Sequence, residues 1–331
     1  MAAWVCHPLQ SAAIQNATRS NPRPPVSKIH ATARALHGTP EEKAGRRRHD
    51  SPKPPSGPAV SLRDMRHRQI LDKLAARGLV QALDEELARW VREQMAYPVS
   101  SYAELERAVI PPILVRWRCL LDADDASPAT KHVAWVALAT LLHKYGFRDE
   151  AITSMALAAV DELNRHVVLS DAFERQSPAV KSLLRSTPAP LTRRPRLPRN
   201  VTFLRPGDVL SIELSGRFHA AYVRDLHGIN EFPVIEFYTG TFAQPPTPAQ
   251  LESRDAARDH GRARFGVVGM TCLPDPAGQV RAIAAQHRQA PRGADPLPGR
   301  GLWQLTDILN LQRDLRRLFG DADGESCGHV E

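Results

Sequence analysis

Residues 206–225 read PGDVLSIELSGRFHAAYVRD, and the register of the hairpin they form decides which side chains face a core. Side chains alternate between the two faces of a strand, so a slip of one residue exchanges the faces. A three-residue loop at Leu214-Ser215-Gly216, with Gly216 in the left-handed conformation, sets Ile212 against Phe218, Leu210 against Ala220 and Glu213 against Arg217. A two-residue turn at Ser215-Gly216 instead sets Glu213 against Phe218 and Leu214 against Arg217, mixing charged with apolar partners. The bulged loop is therefore expected. It puts Ser211, Glu213, Arg217 and His219 on the face opposite Leu210, Ile212 and Phe218, and that polar face is the candidate partner-binding surface.

Outward from the hairpin, stretches 207–214, 217–224, 232–239 and 264–271 are dense in Val, Ile, Phe and Tyr, which predicts short strands. Tight turns between such strands suggest a small SH3-like β-barrel over 201–320. Within it, Thr247 caps a short helix, and 302–319 is a terminal amphipathic helix with Leu305, Ile308, Leu311, Leu315 and Leu318 along one side. Residues 321–331 read as a tail.

Upstream, 61–184 carries helical periodicity and forms an all-α domain, so the chain is α+β. Ile70, Leu71, Leu74 and Leu79 lead into Leu83, Leu87, Trp90 and Val91 at spacings of three and four, with Gly78 between two helices. Ser101 and Glu104 resemble a capping box, and Pro111-Pro112 predict a bend or short loop. Residues 132–163 resemble a tetratricopeptide repeat: Trp135, Leu138, Ala139, Gly146, Ala151, Met155 and Ala158 meet that pattern in register, with Leu142 where the family has tyrosine. The preceding window does not match, and one repeat cannot bury a continuous core. An ordinary helical hairpin in a compact bundle is therefore expected. His132, His143 and His166 lie on helices without acidic neighbours at ligand spacing, and read as surface or core histidines.

The net charge of +8 is unevenly placed. Residues 1–60, basic and Pro-rich with no sustained hydrophobic period, read as a disordered tail, and 185–200 carry five Arg and no acid as a basic linker. The rest is slightly acidic. A nucleic-acid-binding fold shows its basic stripe on folded elements, so weak polyanion contact through the linkers is all this distribution predicts. Cys6, Cys119, Cys272 and Cys327 stand far apart without metal-ligand spacing, which fits a reducing, cytoplasmic setting. No apolar run is long enough for a membrane span, and MAAWVCHPLQ lacks the form of a secretory signal. The first acid is Glu41, so 1–40 has the composition of an organelle transit peptide or of a start assigned upstream of Met65; both stay open.

The stretch 203–240 carries a family resemblance. Gly207, Asp208 and Val209 open a strand, Gly216 turns it, Phe218 and Tyr222 return, and Ile235, Phe237 and Tyr238 follow; Thr239 stands where an acid is common. In this it resembles bacterial immunity proteins of the type numbered twenty-six, from polymorphic-toxin systems. The resemblance implies neutralisation of a toxin by binding, and because a phosphotriesterase is grouped with that family it also implies phosphoester hydrolysis as the alternative. Endoribonuclease toxins with the same opening carry an Arg-Pro pair that is missing here, and ribosome-associated barrels would need more Gly and Lys. For hydrolysis the available groups are Asp208, Glu213, His219, Asp225, His227, Glu236, Asp259, His260 and His287, with no HxH, HExxH, GxSxG or phosphate-cradling loop among them. No metal, cofactor or catalytic residue is expected. The expected function is immunity-like or adaptor binding of a protein partner such as a toxin domain.

Overall fold

The structure, a computed structural model, describes residues 62–97, 101–199, 201–258, 264–271, 273–293 and 303–320, with side chains from His67 onward. The segments 1–60 and 321–331, and Cys6, Cys272, Cys327, Asp259 and His260 with them, lie outside the described residues.

Six helices precede the strands: α1 (Leu62–Leu71), α2 (Arg77–Gln94), α3 (Tyr102–Leu121), α4 (Pro128–Lys144), α5 (Glu150–Arg165) and α6 (Asp171–Arg185). Ser101 caps α3, its hydroxyl accepting from the Glu104 amide at 3.2 Å. Of the bend or short loop expected at Pro111-Pro112 the loop is absent, since α3 runs through both prolines without a break. Pro112 cannot donate to the Ala108 carbonyl, and the indole of Trp90 on α2 donates to it instead at 3.1 Å; a partner for the freed carbonyl offsets part of the cost of an internal proline.

α4 and α5 form the predicted hairpin, with α4 buried almost all round. The repeat-like register, however, is not the one that packs. Ala151, Met155 and Ala158 face solvent, while Ile152, Ala156, Ala159, Val160 and Leu163 are buried. Asp149 caps α5 by accepting from the Ile152 amide at 2.8 Å, which starts the helix so that its apolar stripe falls one residue later.

The strands are β1 (Val209–Leu214), β2 (Arg217–His227), β3 (Phe232–Phe237), β4 (Arg264–Val268), β5 (Val280–Ala284) and β6 (Gln304–Asp307), with the one-turn helix α7 (Pro248–Leu251) after β3 and α8 (Leu311–Phe319) last. Thr247 caps α7 as expected. The strands make one mixed sheet, ordered β5-β1-β2-β3-β4-β6 and open at β5 and β6; it is not closed into the expected barrel. β5 and β6 carry weak strand signals. The start of the predicted terminal helix is β6, parallel to β4, because Asp307 Oδ1 accepts from the Leu309 and Asn310 amides and delays the helix to Leu311.

The decisive hairpin takes the two-residue turn. Ser215 and Gly216 have φ of 52° and 71°, and Glu213 pairs with Phe218, Ile212 with His219 and Leu214 with Arg217. Two positive φ values match the twist of the flanking strands. The apolar-against-apolar argument fails because this sheet has no wet face at the hairpin: β1 is buried at every residue but Glu213.

Helices and sheet share one hydrophobic core in one unit, where the sequence predicts a helical domain and a separate barrel. Their junction is charged. Arg116 of α3 bonds Glu86 of α2 at 2.7 Å and Asp275, in the loop before β5, at 2.8 Å, all three side chains being at most 5% exposed. Gln279 accepts from the same guanidinium at 3.1 Å, and the Trp117 indole donates to Glu86 at 2.9 Å. Burial opposes the charge of Arg116, but Asp275 and Glu86 more than offset it and hold the guanidinium above its ordinary value. No helix among the described residues is long and apolar enough to cross a membrane.

Candidate functional site

The two-residue turn divides the predicted site. Ser211 and Glu213 stand on one face of the sheet with Phe218, Ala220 and Tyr222; Arg217 and His219 stand on the other with Leu210, Ile212 and Ala221. His219 is 4% exposed, its ring stacked on Phe319 of α8 at 4.4 Å, and burial pushes its pKa down to about 4. Its Nδ1 and the Ser211 Oγ are buried without a hydrogen-bond partner. Glu213 is half-buried; burial, with Asp122 and Asp125 nearby, raises its carboxyl above the usual range against the pull of Arg281. Arg217 alone of the four is exposed. This constellation is therefore not a surface, and the hairpin presents no polar face to a partner.

The other carboxylates and histidines named from the sequence are also dispersed. Glu236, 1% exposed, is held by Arg224 and Arg264 on the sheet face away from the helices. Asp208 caps the turn at 205–208 through the Arg205 amide. Among the described residues no group of three His, Cys, Asp or Glu could hold a metal ion.

A different stretch collects exposed groups. Residues 187–199 and 201–205 form no regular element, yet their backbone is tied to the fold at several points. Tyr102 Oη donates to the Tyr145 carbonyl at 2.6 Å and accepts from the Leu191 amide at 3.3 Å, and Arg92 donates to the Pro195 carbonyl at 2.9 Å. Farther on, the Thr202 amide donates to Asn230 and the Phe203 amide to Thr271. Leu191, Pro195 and Pro198 turn toward the helices, and Thr202 and Leu204 are buried, 1% and 2% exposed.

What turns outward is basic and apolar together. Arg193, Arg194, Arg196, Arg199 and Arg205 are exposed, and none of these guanidiniums meets a carboxylate among the described residues. Between them Leu197 is 62%, Val201 47% and Phe203 69% exposed. Sequence reasoning found the charge but read the segment as a solvated linker. Over 201–205 burial alternates, with Thr202 and Leu204 inward and Val201, Phe203 and Arg205 outward, a strand-like period that the side-chain types themselves do not announce.

Such a strap can dock an anionic surface. Guanidiniums give directional, bidentate contacts to carboxylates, and an exposed aromatic with two aliphatic side chains gives apolar anchors. Comparison of the chain with protein-family models, with curated proteins and with solved structures finds no match.

Proposed function

We propose that this chain is a binding protein of the immunity or adaptor kind, and that its partner-facing surface is the strap 193–205 rather than the β1–β2 hairpin. The observation that carries the reading is the anchored run of five outward arginines without carboxylate partners, interleaved with exposed Leu197, Val201 and Phe203. Arg is among the residues in which interface energy concentrates, and neighbouring exposed apolar side chains mark an interaction site. The partner is a protein with an acidic, partly apolar face, as a toxin domain with a carboxylate-rich surface would offer. Two aliphatic anchors against one aromatic favour a protein over a single-stranded nucleic acid, which would use a row of stacking rings. The free, buried Cys119 accords with a reducing, cytoplasmic setting.

The probe is a labelled peptide alternating Glu with Leu and Phe, titrated into the full chain at low salt, with single-stranded oligo-uridine in a second arm. Saturable peptide binding, weakened about tenfold by Arg194→Glu and by Phe203→Ser and falling with salt, is the expected result. Absence of peptide binding, binding indifferent to both substitutions, or tighter binding of the oligonucleotide overturns the reading.

A further inference from the structure

The sheet ends at β5, which pairs with β1 on one side and with no strand among the described residues on the other. Register fixes which main-chain groups that edge shows. The Glu213 amide donates to the Gln279 carbonyl at 2.9 Å and Ser211 stands opposite Arg281, so Gln279 and Arg281 turn their main-chain groups toward β1. Val280 and Ala282 alternate with them and turn theirs to the open edge. Asp275 Oδ2 accepts from the Val280 amide at 2.9 Å, but the Val280 carbonyl and both main-chain groups of the exposed Ala282 meet no partner among the described residues.

Beside this edge runs a groove of about 540 Å³. The end of α3 and the loop after it form its other wall through Leu120 and Ala123, and Leu273 and Val280 add apolar surface. An open strand edge along an apolar groove is where an extended peptide joins a sheet, held by main-chain hydrogen bonds while alternate side chains enter the groove. The rim is acidic. Asp122, Asp124 and Asp125 follow α3 directly, all are exposed, and none makes an ion pair or a side-chain hydrogen bond among the described residues. They stand at the negative end of the α3 dipole, where carboxylates are unfavourable and a cation is favoured. Burial raises the carboxyl of nearby Glu213, and Asp122 and Asp125 raise it further against the pull of Arg281, as a negative field does. Asp275, the remaining carboxylate of the groove, is already held by Arg116.

We propose that β5 and the end of α3 form a docking groove for an extended, basic segment of another protein, which adds a strand to the sheet at Ala282. Lys or Arg side chains of that segment meet Asp125 and its neighbours, and small apolar ones enter between Leu120, Ala123 and Val280. Charge complementarity selects this occupant. A second copy of the chain pairing edge to edge would bring the same acidic rim against itself, which is repulsive. The groove is distinct from the strap and opposite to it in charge, so neither reading rests on the other.

The test titrates the full chain at low salt with a labelled peptide alternating Lys with Val, and with its N-methylated counterpart, which keeps the charges and side chains but has no main-chain donor. Saturable binding of the first and loss of binding in the second are expected. Asp122→Lys combined with Asp125→Lys is expected to weaken binding about tenfold. Ala282→Pro removes the outward amide and spares the bonds to β1, a change that an edge strand tolerates, and is expected to weaken binding at least about fivefold. All three substitutions fall on exposed residues, and equal melting temperatures check the fold. Absence of binding, equal binding of the N-methylated peptide, or binding indifferent to the aspartate or the proline substitutions overturns the proposal. Self-association of the unaltered chain that Ala282→Pro abolishes would give the edge to a second copy and overturn it as well. If Ala282→Pro does not fold, the N-methylated peptide decides.

Discussion

The hairpin 209–227 and the strap 191–205 both mix polar with apolar residues, yet one buries its polar groups and the other displays them. In the hairpin His219 and Ser211 lie inside with unpartnered atoms; in the strap Arg193, Arg194, Arg196 and Arg199 lie outside and Leu191, Thr202 and Leu204 inside. The difference comes from what covers each segment. The hairpin lies in the middle of the sheet, with α8 and the larger helices on one face and Leu251 of α7 and Phe242 on the other, so neither register leaves it a wet side. The strap has one neighbour, the fold beneath it, and keeps a free side. A polar pattern in sequence thus marks a surface only where a single layer covers it.

The largest test of this contrast concerns charge buried by two layers. Arg116→Ala strips Glu86 and Asp275 of their shared cation and leaves two buried carboxylates, which is expected to cost about 3–5 kcal/mol. Denaturant midpoints followed by helix circular dichroism and by tryptophan fluorescence are expected to move together, because the pair joins α2 and α3 to the loop before β5. Two separated transitions would show helices and sheet to be independent units, and would break the comparison at its base.

Next comes the α4–α5 hairpin. Ala156→Leu inserts volume where exposure is 0% and is expected to cost about 1–3 kcal/mol. Ala151→Leu, on the outer side of α5, is expected to stay within about 0.5 kcal/mol. The reverse ranking would restore the repeat-like register.

The third test is the pH dependence of stability, where buried His219 and Glu93 act with opposite signs. His219 has a pKa of about 4 in the folded chain against 6.5 when exposed, so below pH 6.5 the unfolded chain binds the extra proton and stability falls until about pH 4. The loss is about 3 kcal/mol, and His219→Phe, which keeps a ring against Phe319, is expected to flatten that slope. Glu93 is raised to about 7 by burial and by its hydrogen bond to Asp307. Its contribution is complete below 4.5 and is lost as pH rises through 7, so Glu93→Gln is expected to flatten the slope on that side. A melting profile across pH 4 to 8 with each variant measures both; an unchanged acid slope in His219→Phe would place the acid sensitivity elsewhere, with His143, which burial also holds below the ordinary histidine range, as the next group to vary.

Much of this fold is legible in the sequence at the level of elements. The α-then-β order, β1 to β4, the Ser101 and Thr247 caps and α4–α5 all follow from periodicity and capping chemistry. What escaped was decided by tertiary context. The Trp90 indole on the Ala108 carbonyl lets α3 pass two prolines, and no local rule contains it. β6 exists because β4 offers a free edge and Asp307 arrests the following helix, and its Leu305 is 59% exposed, against the amphipathic reading. The candidate site was misplaced for a related reason: the register argument assumed one wet face, and the sheet has none there. The buried hydrogen bond between His67 and His143 was passed over because the two are 76 residues apart.

The smallest expected effect bears most directly on the strap. Its guanidiniums have no carboxylate partners among the described residues, so they repel one another across a short extended segment and give the fold no ion pair to lose. Replacing Arg193 and Arg194 by Ala is therefore expected to leave stability unchanged or to raise it by a few tenths of a kcal/mol at low ionic strength, and the gain should vanish near 1 M salt, where screening acts over about 3 Å. Leu204→Ala, on the inward side of the same segment, is expected to cost at least 2 kcal/mol at either ionic strength, since its loss is a cavity and not a charge. Chemical denaturation by urea, which is uncharged, separates the two. If the arginine double variant lost more than about 1 kcal/mol, those side chains would be structural, and the strap would hold the fold as the hairpin does instead of facing a partner.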